Sequence, residues 1–137
     1  MAELNFTPEQ RAAIDTRGST VLVSAAAGSG KTRVLTERLM AYLTDAENPV
    51  DIDRFLVITY TRAAAAELRS RILDGIYARI ASDPENRRLR RQAALCAHAE
   101  IGTIHSFCAD FLRANCAALV LAPDFQVADT ERCIALR

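Results

Sequence analysis

The chain has 137 residues, half of them apolar and a quarter charged, with 17 basic side chains balanced by 17 acidic ones. That length suits one domain with a real hydrophobic core, and the composition is close to that of an ordinary soluble globular protein. A net charge of zero gives no support for a globally basic nucleic-acid binder, so any surface that grips DNA has to be local.

Short β-rich runs alternate with longer amphipathic stretches, which predicts βα units around a parallel sheet. Thr7-Pro8-Glu9-Gln10 opens a helix: Thr7 suits the N-cap, Pro8 the first helical position, and Gln10 completes a capping box. Gly18-Ser19 breaks the chain, and Val21-Leu22-Val23 is a continuous apolar run that predicts a buried parallel strand. A small, glycine-containing loop follows, and from Lys31 a helix is predicted to about Leu43, with Val34, Leu35, Arg38, Leu39, Tyr42 and Leu43 on a mostly apolar stripe. After a loop at Asn48-Pro49, residues 55–59 predict a second buried strand. Thr61 is a cap for a long helix carrying Leu68, Ile72, Ile76 and Ile80. Asp83-Pro84 is expected to start a strongly basic helix with Arg87, Arg88, Arg90 and Arg91, more simply a solvated face than a DNA patch. Residues 101–104 predict a third strand, and a helix from about Ser106 is expected to run until Pro123 breaks it. Phe125-Gln126-Val127 is a candidate fourth, short strand, and Thr130 a cap for a helix barely begun at Arg137, which points to a fragment.

Sixteen of the basic residues are arginine, and Lys31 is the only lysine. The four cysteines, Cys96, Cys108, Cys116 and Cys133, form no CxxC pair and are expected to be reduced thiols packed in a core. The N-terminus has no basic region followed by an apolar one, and no apolar run approaches the length of about 18 residues that spans a bilayer. These features predict a cytoplasmic protein with no membrane contact.

The most informative stretch is Ala25-Ala26-Ala27-Gly28-Ser29-Gly30-Lys31-Thr32, set between the apolar run and an amphipathic helix. It meets the phosphate-loop pattern GxxxxGK[ST] except at the first position, where Ala25 replaces glycine. Gly28 and Gly30 can take positive φ and close the backbone around a phosphate. The inward N–H groups and the helix N-terminus supply partial positive charge. Lys31 would reach the β- and γ-phosphates of ATP as a compact point charge, Thr32 would offer its hydroxyl to Mg²⁺, and Arg33 follows in the same first turn. An arginine at position 31 would be bulkier and differently hydrated, which accounts for a solitary lysine in an arginine-rich chain. The plain alternative is a flexible Gly/Ser turn before a helix.

The loop with alanine in first place resembles that of the UvrD/Rep-type superfamily 1 DNA helicases, and three further blocks agree in order. Phe6-Thr7-Pro8-Glu9-Gln10 is similar to their glutamine motif, Ile58-Thr59-Tyr60-Thr61-Arg62 with its alanine-rich sequel to motif Ia, and Gly102-Thr103-Ile104-His105-Ser106-Phe107-Cys108 to motif Ib. Pro123-Asp124-Phe125 and Val127-Ala128-Asp129 look most like the AddA-type members of bacterial helicase–nuclease repair complexes. The resemblance implies an incomplete P-loop NTPase (RecA-like) α/β fold, a parallel sheet flanked by helices, with residues 1–137 the N-terminal part of the first motor domain. It implies that Gln10 reads adenine; the alternative is that Gln10 only closes the capping box. It implies that Tyr60, Thr61 and Arg62 meet single-stranded DNA, Tyr60 by stacking and Arg62 through a phosphate; the alternative puts Tyr60 in the core and leaves Thr61 as a cap. Thr103, His105 and Ser106 would contact the DNA backbone or couple it to the nucleotide. The implied partners are single- or double-stranded DNA and a second, AddB-like helicase–nuclease subunit.

ATP hydrolysis in that family also needs an Asp-Glu pair on a later strand, and no Asp-Glu dipeptide occurs in this sequence. The 137 residues alone are therefore expected to bind ATP weakly and to turn over little or none. Two other classes compete: a small P-loop phosphotransferase, against which Ala25 and the two later blocks speak, and a non-catalytic nucleotide-binding module.

Overall fold

A helix needs partners for its first free N–H groups, and among the described residues side chains supply them at four of five α-helix starts. The computed structural model describes residues 5–122 and 124–128. It contains, in order, α1 (Pro8–Asp15), α2 (Lys31–Leu43), a 3-10 turn (Ile52–Arg54), β1 (Leu56–Thr59), α3 (Arg62–Ser82), α4 (Arg87–Leu95), β2 (Glu100–Thr103) and α5 (Ile104–Ala114). Thr7 caps α1 in the expected capping box with Gln10, Thr61 caps α3 through the Ala64 N–H at 3.1 Å, and Asn86 caps α4 through the Leu89 N–H. Thr103 and Ser106 form a second capping box at the start of α5. The exception is α2, whose N-cap is Gly30 and which no side chain caps.

β1 and β2 pair in parallel, with Val57 opposite Ile101 and Thr59 opposite Thr103. Val57 and Ile101 point to one face, where α3 lays down Leu68, Ile72 and Ile76, a four-residue spacing that makes one apolar stripe. Leu39, Met40 and Leu43 of α2, with Ile52, complete the core, and burying each such side chain contributes about 1.5–3 kcal/mol. A Cβ at Gly75 would stand 3.4 Å from the Met40 sulfur, so glycine here lets α2 and α3 approach closely. The architecture is α/β, a two-stranded parallel sheet flanked by helices.

Two polar knots hold the elements in place. Asp51 pairs with Arg88 at 2.8 Å and Arg91 at 3.1 Å and accepts from the Gln92 side-chain amide, whose other end takes the Ile52 N–H at 2.8 Å. Gln92 is fully buried, so each of its polar ends needs its partner. Two members of the arginine run thus pin α4 to the segment before β1, instead of forming the purely solvated face expected from sequence. Asp51→Ala is expected to lower unfolding stability by about 1–3 kcal/mol, checked by urea denaturation, because it strips one partner from the buried Gln92 amide and the carboxylate from Arg88 and Arg91. The second knot is Arg69 of α3, whose guanidinium donates to the carbonyls of Cys96, Ala99 (3.0 Å) and Ile101 (3.1 Å). Burial pushes the Cys96 thiol up in pKa, against a smaller downward pull from Arg69, which keeps it a neutral packing group.

Several expectations are corrected. The run Val21-Leu22-Val23 forms no strand among the described residues, and Leu22 is 92 % exposed. A strand exists by pairing, and no described strand pairs with this one. β1 is buried on one face only: Leu56 and Ile58 are about half exposed, since helix α3 covers a single side. α4 starts at Arg87 rather than at Asp83-Pro84, because Asp83 caps the end of α3 and Asn86 is the residue that caps α4. α5 stops at Ala114, well before Pro123, where the Asn115 side chain donates back to the Phe111 carbonyl. Residues 125–127 form no strand. Of the three described cysteines only Cys96 is buried, while Cys108 is exposed and Cys116 intermediate. The expectations at Pro123, Thr130 and Cys133 lie outside the described residues. Among the described residues no helix is long and apolar enough to cross a membrane.

Candidate functional site

The loop before α2 turns on two left-handed glycines, Gly28 at φ +78° and Gly30 at φ +84°, a region other residues enter only under strain. Ala25 stays outside it: among described non-glycine residues only Val120 has positive φ. Alanine in place of the pattern's first glycine is therefore accommodated. Because no side chain caps α2, the N–H groups of Lys31, Thr32 and Arg33 face outward from the positive end of a 13-residue helix. The Lys31 ammonium leans back over the loop, donating to the Ala25 and Ala26 carbonyls at 2.6 Å each. Lys31, Thr32 and Ser29 are all exposed.

A cavity of about 540 Å³ opens beside this loop, between α1, the segment 21–25 and α2; its lining includes Gln10, Ala13, Val23, Ser29, Lys31 and Val34. That volume is of the size that takes a nucleoside-sized ligand. Its lining is largely apolar, and its polar groups are the Lys31 ammonium, the Gln10 amide, the Glu9 carboxylate and the hydroxyls of Thr7, Thr16, Ser24 and Ser29. Gln10 donates its Nε2 to the Ser29 carbonyl at 3.2 Å while its Oε1 accepts the Thr7 N–H at 3.0 Å. The Arg33 guanidinium sits over the Phe6 ring at 4.6 Å, and Arg11 approaches the same ring at 5.2 Å. The open helix terminus, the ammonium and the Thr32 hydroxyl fit a triphosphate and its Mg²⁺ in kind.

The second group of predicted residues gathers at the C-terminal end of the sheet. The register that sets Thr59 opposite Thr103 brings 60–62 and 103–106 side by side. Tyr60 is fully exposed, which removes the alternative of a core tyrosine. Arg62 and His105 are exposed as well. Thr61, Thr103 and Ser106 are committed locally. Thr61 accepts the Ala64 N–H, and Thr103, 8 % exposed, shares its bonds with Ser106. A Cβ on Gly102 would stand 2.7 Å from the Ser106 hydroxyl oxygen, so the second capping box depends on glycine at that place.

Residues 6–136 match the family of the UvrD/REP helicase N-terminal domain. The chain belongs to that family. As a UvrD/REP helicase N-terminal segment it is 50 % identical over all of its 137 residues to the A subunit of the ATP-dependent helicase/nuclease of Clostridium acetobutylicum. It is 51 % identical over 132 residues to the protein of the same name from Thermoanaerobacter sp. strain X514, and 44 % identical over 137 residues to that from Clostridioides difficile. In each case it spans 11 % of the relative's length.

In this UvrD/REP segment Gln10, α1 and the loop before α2 come together around one cavity, whereas the Tyr60 and His105 blocks come together elsewhere, on the sheet. Sequence reasoning missed Phe6 as the ring under Arg33 and Arg69 as the clamp on β2. Phe6 had a signal, an aromatic directly before the helix cap. Arg69 had none, since it sits mid-helix and its partners lie 27–32 residues on.

Proposed function

We propose that this chain is the ATP-binding front part of the first RecA-like, P-loop domain of an ATP-dependent DNA helicase. The parent protein would be one half of a helicase–nuclease, working on single-stranded and broken duplex DNA with a second subunit. The observation that carries the reading is the uncapped N-terminus of α2 with Lys31 over the loop. Bound Mg²⁺–ATP would supply the free energy of phosphoanhydride cleavage. Backbone N–H groups from Gly28 to Arg33 would hold the phosphates, Lys31 would neutralise the β- and γ-oxygens, and the Thr32 hydroxyl would face the metal. Tyr60 would stack on a base, and Arg62 and His105 would touch the backbone of the strand. The hydroxyls of Thr61, Thr103 and Ser106 chiefly hold those neighbours in position.

The test is a pair of measurements on the full-length protein and on the purified 137-residue chain. DNA-stimulated phosphate release is expected from the first and little or none from the second; steady DNA-stimulated release from the short chain would refute the reading. In the full-length protein Tyr60→Ala is expected to weaken single-stranded DNA binding by about 1–3 kcal/mol, read by fluorescence anisotropy, the value of one base–aromatic stack. An unchanged affinity would remove Tyr60 from the DNA path.

A further inference from the structure

We infer that Gln10 is a positioning residue of the phosphate loop, fixing the peptide that enters α2, beyond the adenine-reading role proposed for it; the inference rests on the nucleotide-binding reading above. Its side-chain amide spans two elements. Oε1 takes the Thr7 N–H at the start of α1, and Nε2 holds the Ser29 carbonyl across 19 residues of sequence. The same Nε2 lies 3.7 Å from where a Cβ would stand on Gly30, so the amide rests against the loop's second left-handed glycine.

The consequence follows from peptide planarity. The Ser29 carbonyl and the Gly30 N–H belong to one rigid unit and point in opposite directions. Drawing the carbonyl toward α1 turns the Gly30 N–H away from α1 and toward the concave side of the loop, where an anion would sit. This peptide turns about ψ of Ser29 and φ of Gly30, and the glycine side of that pair is permissive, so without the tie the donor can turn away. A primary amide has two donors and two acceptor lone pairs. The two bonds seen leave one N–H and one lone pair, enough for a purine edge. Base capture and phosphate-loop order thereby share one side chain.

The test separates the two roles by using a ligand without a base. Binding of Mg²⁺–tripolyphosphate and of Mg²⁺–ATP is measured calorimetrically on the full-length protein, wild type and Gln10→Met, with thermal melting as the check on folding. Loss of one such hydrogen bond is expected to weaken tripolyphosphate by about three- to tenfold, and ATP by more. Gln10→Glu keeps the acceptor for the Thr7 N–H, and so the start of α1, but loses the donor to Ser29. Measured at high salt, where its added charge is screened, it is expected to show the same tripolyphosphate loss, and it decides the matter if Gln10→Met fails to fold. Tripolyphosphate affinity equal to wild type, with ATP affinity alone reduced, would overturn the inference and leave the nucleotide site standing. A wild-type protein that binds neither ligand would remove the site itself and the inference with it.

Discussion

Replacing Lys31 by alanine in the full-length protein is expected to cut ATP turnover by on the order of 10²–10³-fold, the scale seen when a pre-aimed charge stabiliser is removed. The loop has one ammonium, and it is held 2.6 Å from two loop carbonyls, Ala25 and Ala26, close over the backbone that would surround the phosphates. No neighbour can replace it: the remaining basic side chains are arginines, and Arg33 and Arg11, beside the loop, are occupied at the Phe6 ring. Lys31→Arg is expected to recover little of the loss, because a planar fork cannot follow the path of a slim ammonium through a tight loop. The measurement is steady-state phosphate release with saturating single-stranded DNA, alongside DNA affinity, which should hold because Tyr60 and His105 stand at the sheet rather than the loop. Turnover within about twofold of wild type would place the nucleotide elsewhere.

The largest stability effect is expected at Arg69. Arg69→Met keeps the length and most of the packing of the stem but takes one guanidinium away from three carbonyls, those of Cys96, Ala99 and Ile101. Charge-assisted bonds to a partly buried group contribute more than neutral ones, and the stranded carbonyls also lose this side-chain donor, so about 3 kcal/mol of unfolding free energy should go. The loss should appear as a lower urea midpoint with an unchanged slope. Arg69→Lys should restore only part of it, since an ammonium is a compact point charge without the fork that spans several acceptors. A cost below about 1 kcal/mol would show that β2 holds its place without the clamp. Because β2 leads directly into the Thr103–Ser106 capping box, the same substitution tests how firmly the His105 turn is held.

What could be read from residue order depends on short-range chemistry, although the Asn86 cap and the Thr103–Ser106 box, equally local, were not read. The Thr7–Gln10 box, the Thr61 cap, the span of α2 and the stripe of α3 follow from side chains three or four residues apart. The turns of the loop before α2 were legible for the same reason: Gly28 and Gly30 take positive φ there without help from distant residues. Contacts between distant segments were not legible. Asp51 as the anchor of Arg88 and Arg91, Gln10 on Ser29, and Arg69 on the strand entry each join residues far apart in sequence. Solvent exposure of Tyr60, which separates a base-stacking tyrosine from a packing one, is likewise a property of the assembled surface.

The run Val21-Leu22-Val23 marks the boundary between the two kinds of information. Its composition determined a β-prone apolar segment, but whether such a segment becomes a strand depends on an aligned neighbour to satisfy its N–H and C=O groups, and that is a tertiary matter. Sequence alone therefore determined the family and the starts of α1, α2 and α3, all encoded within a few residues. The tertiary structure decided which side chains are spent on holding the fold and which are left exposed, because hydrogen-bond partners and burial are set by packing across tens of residues.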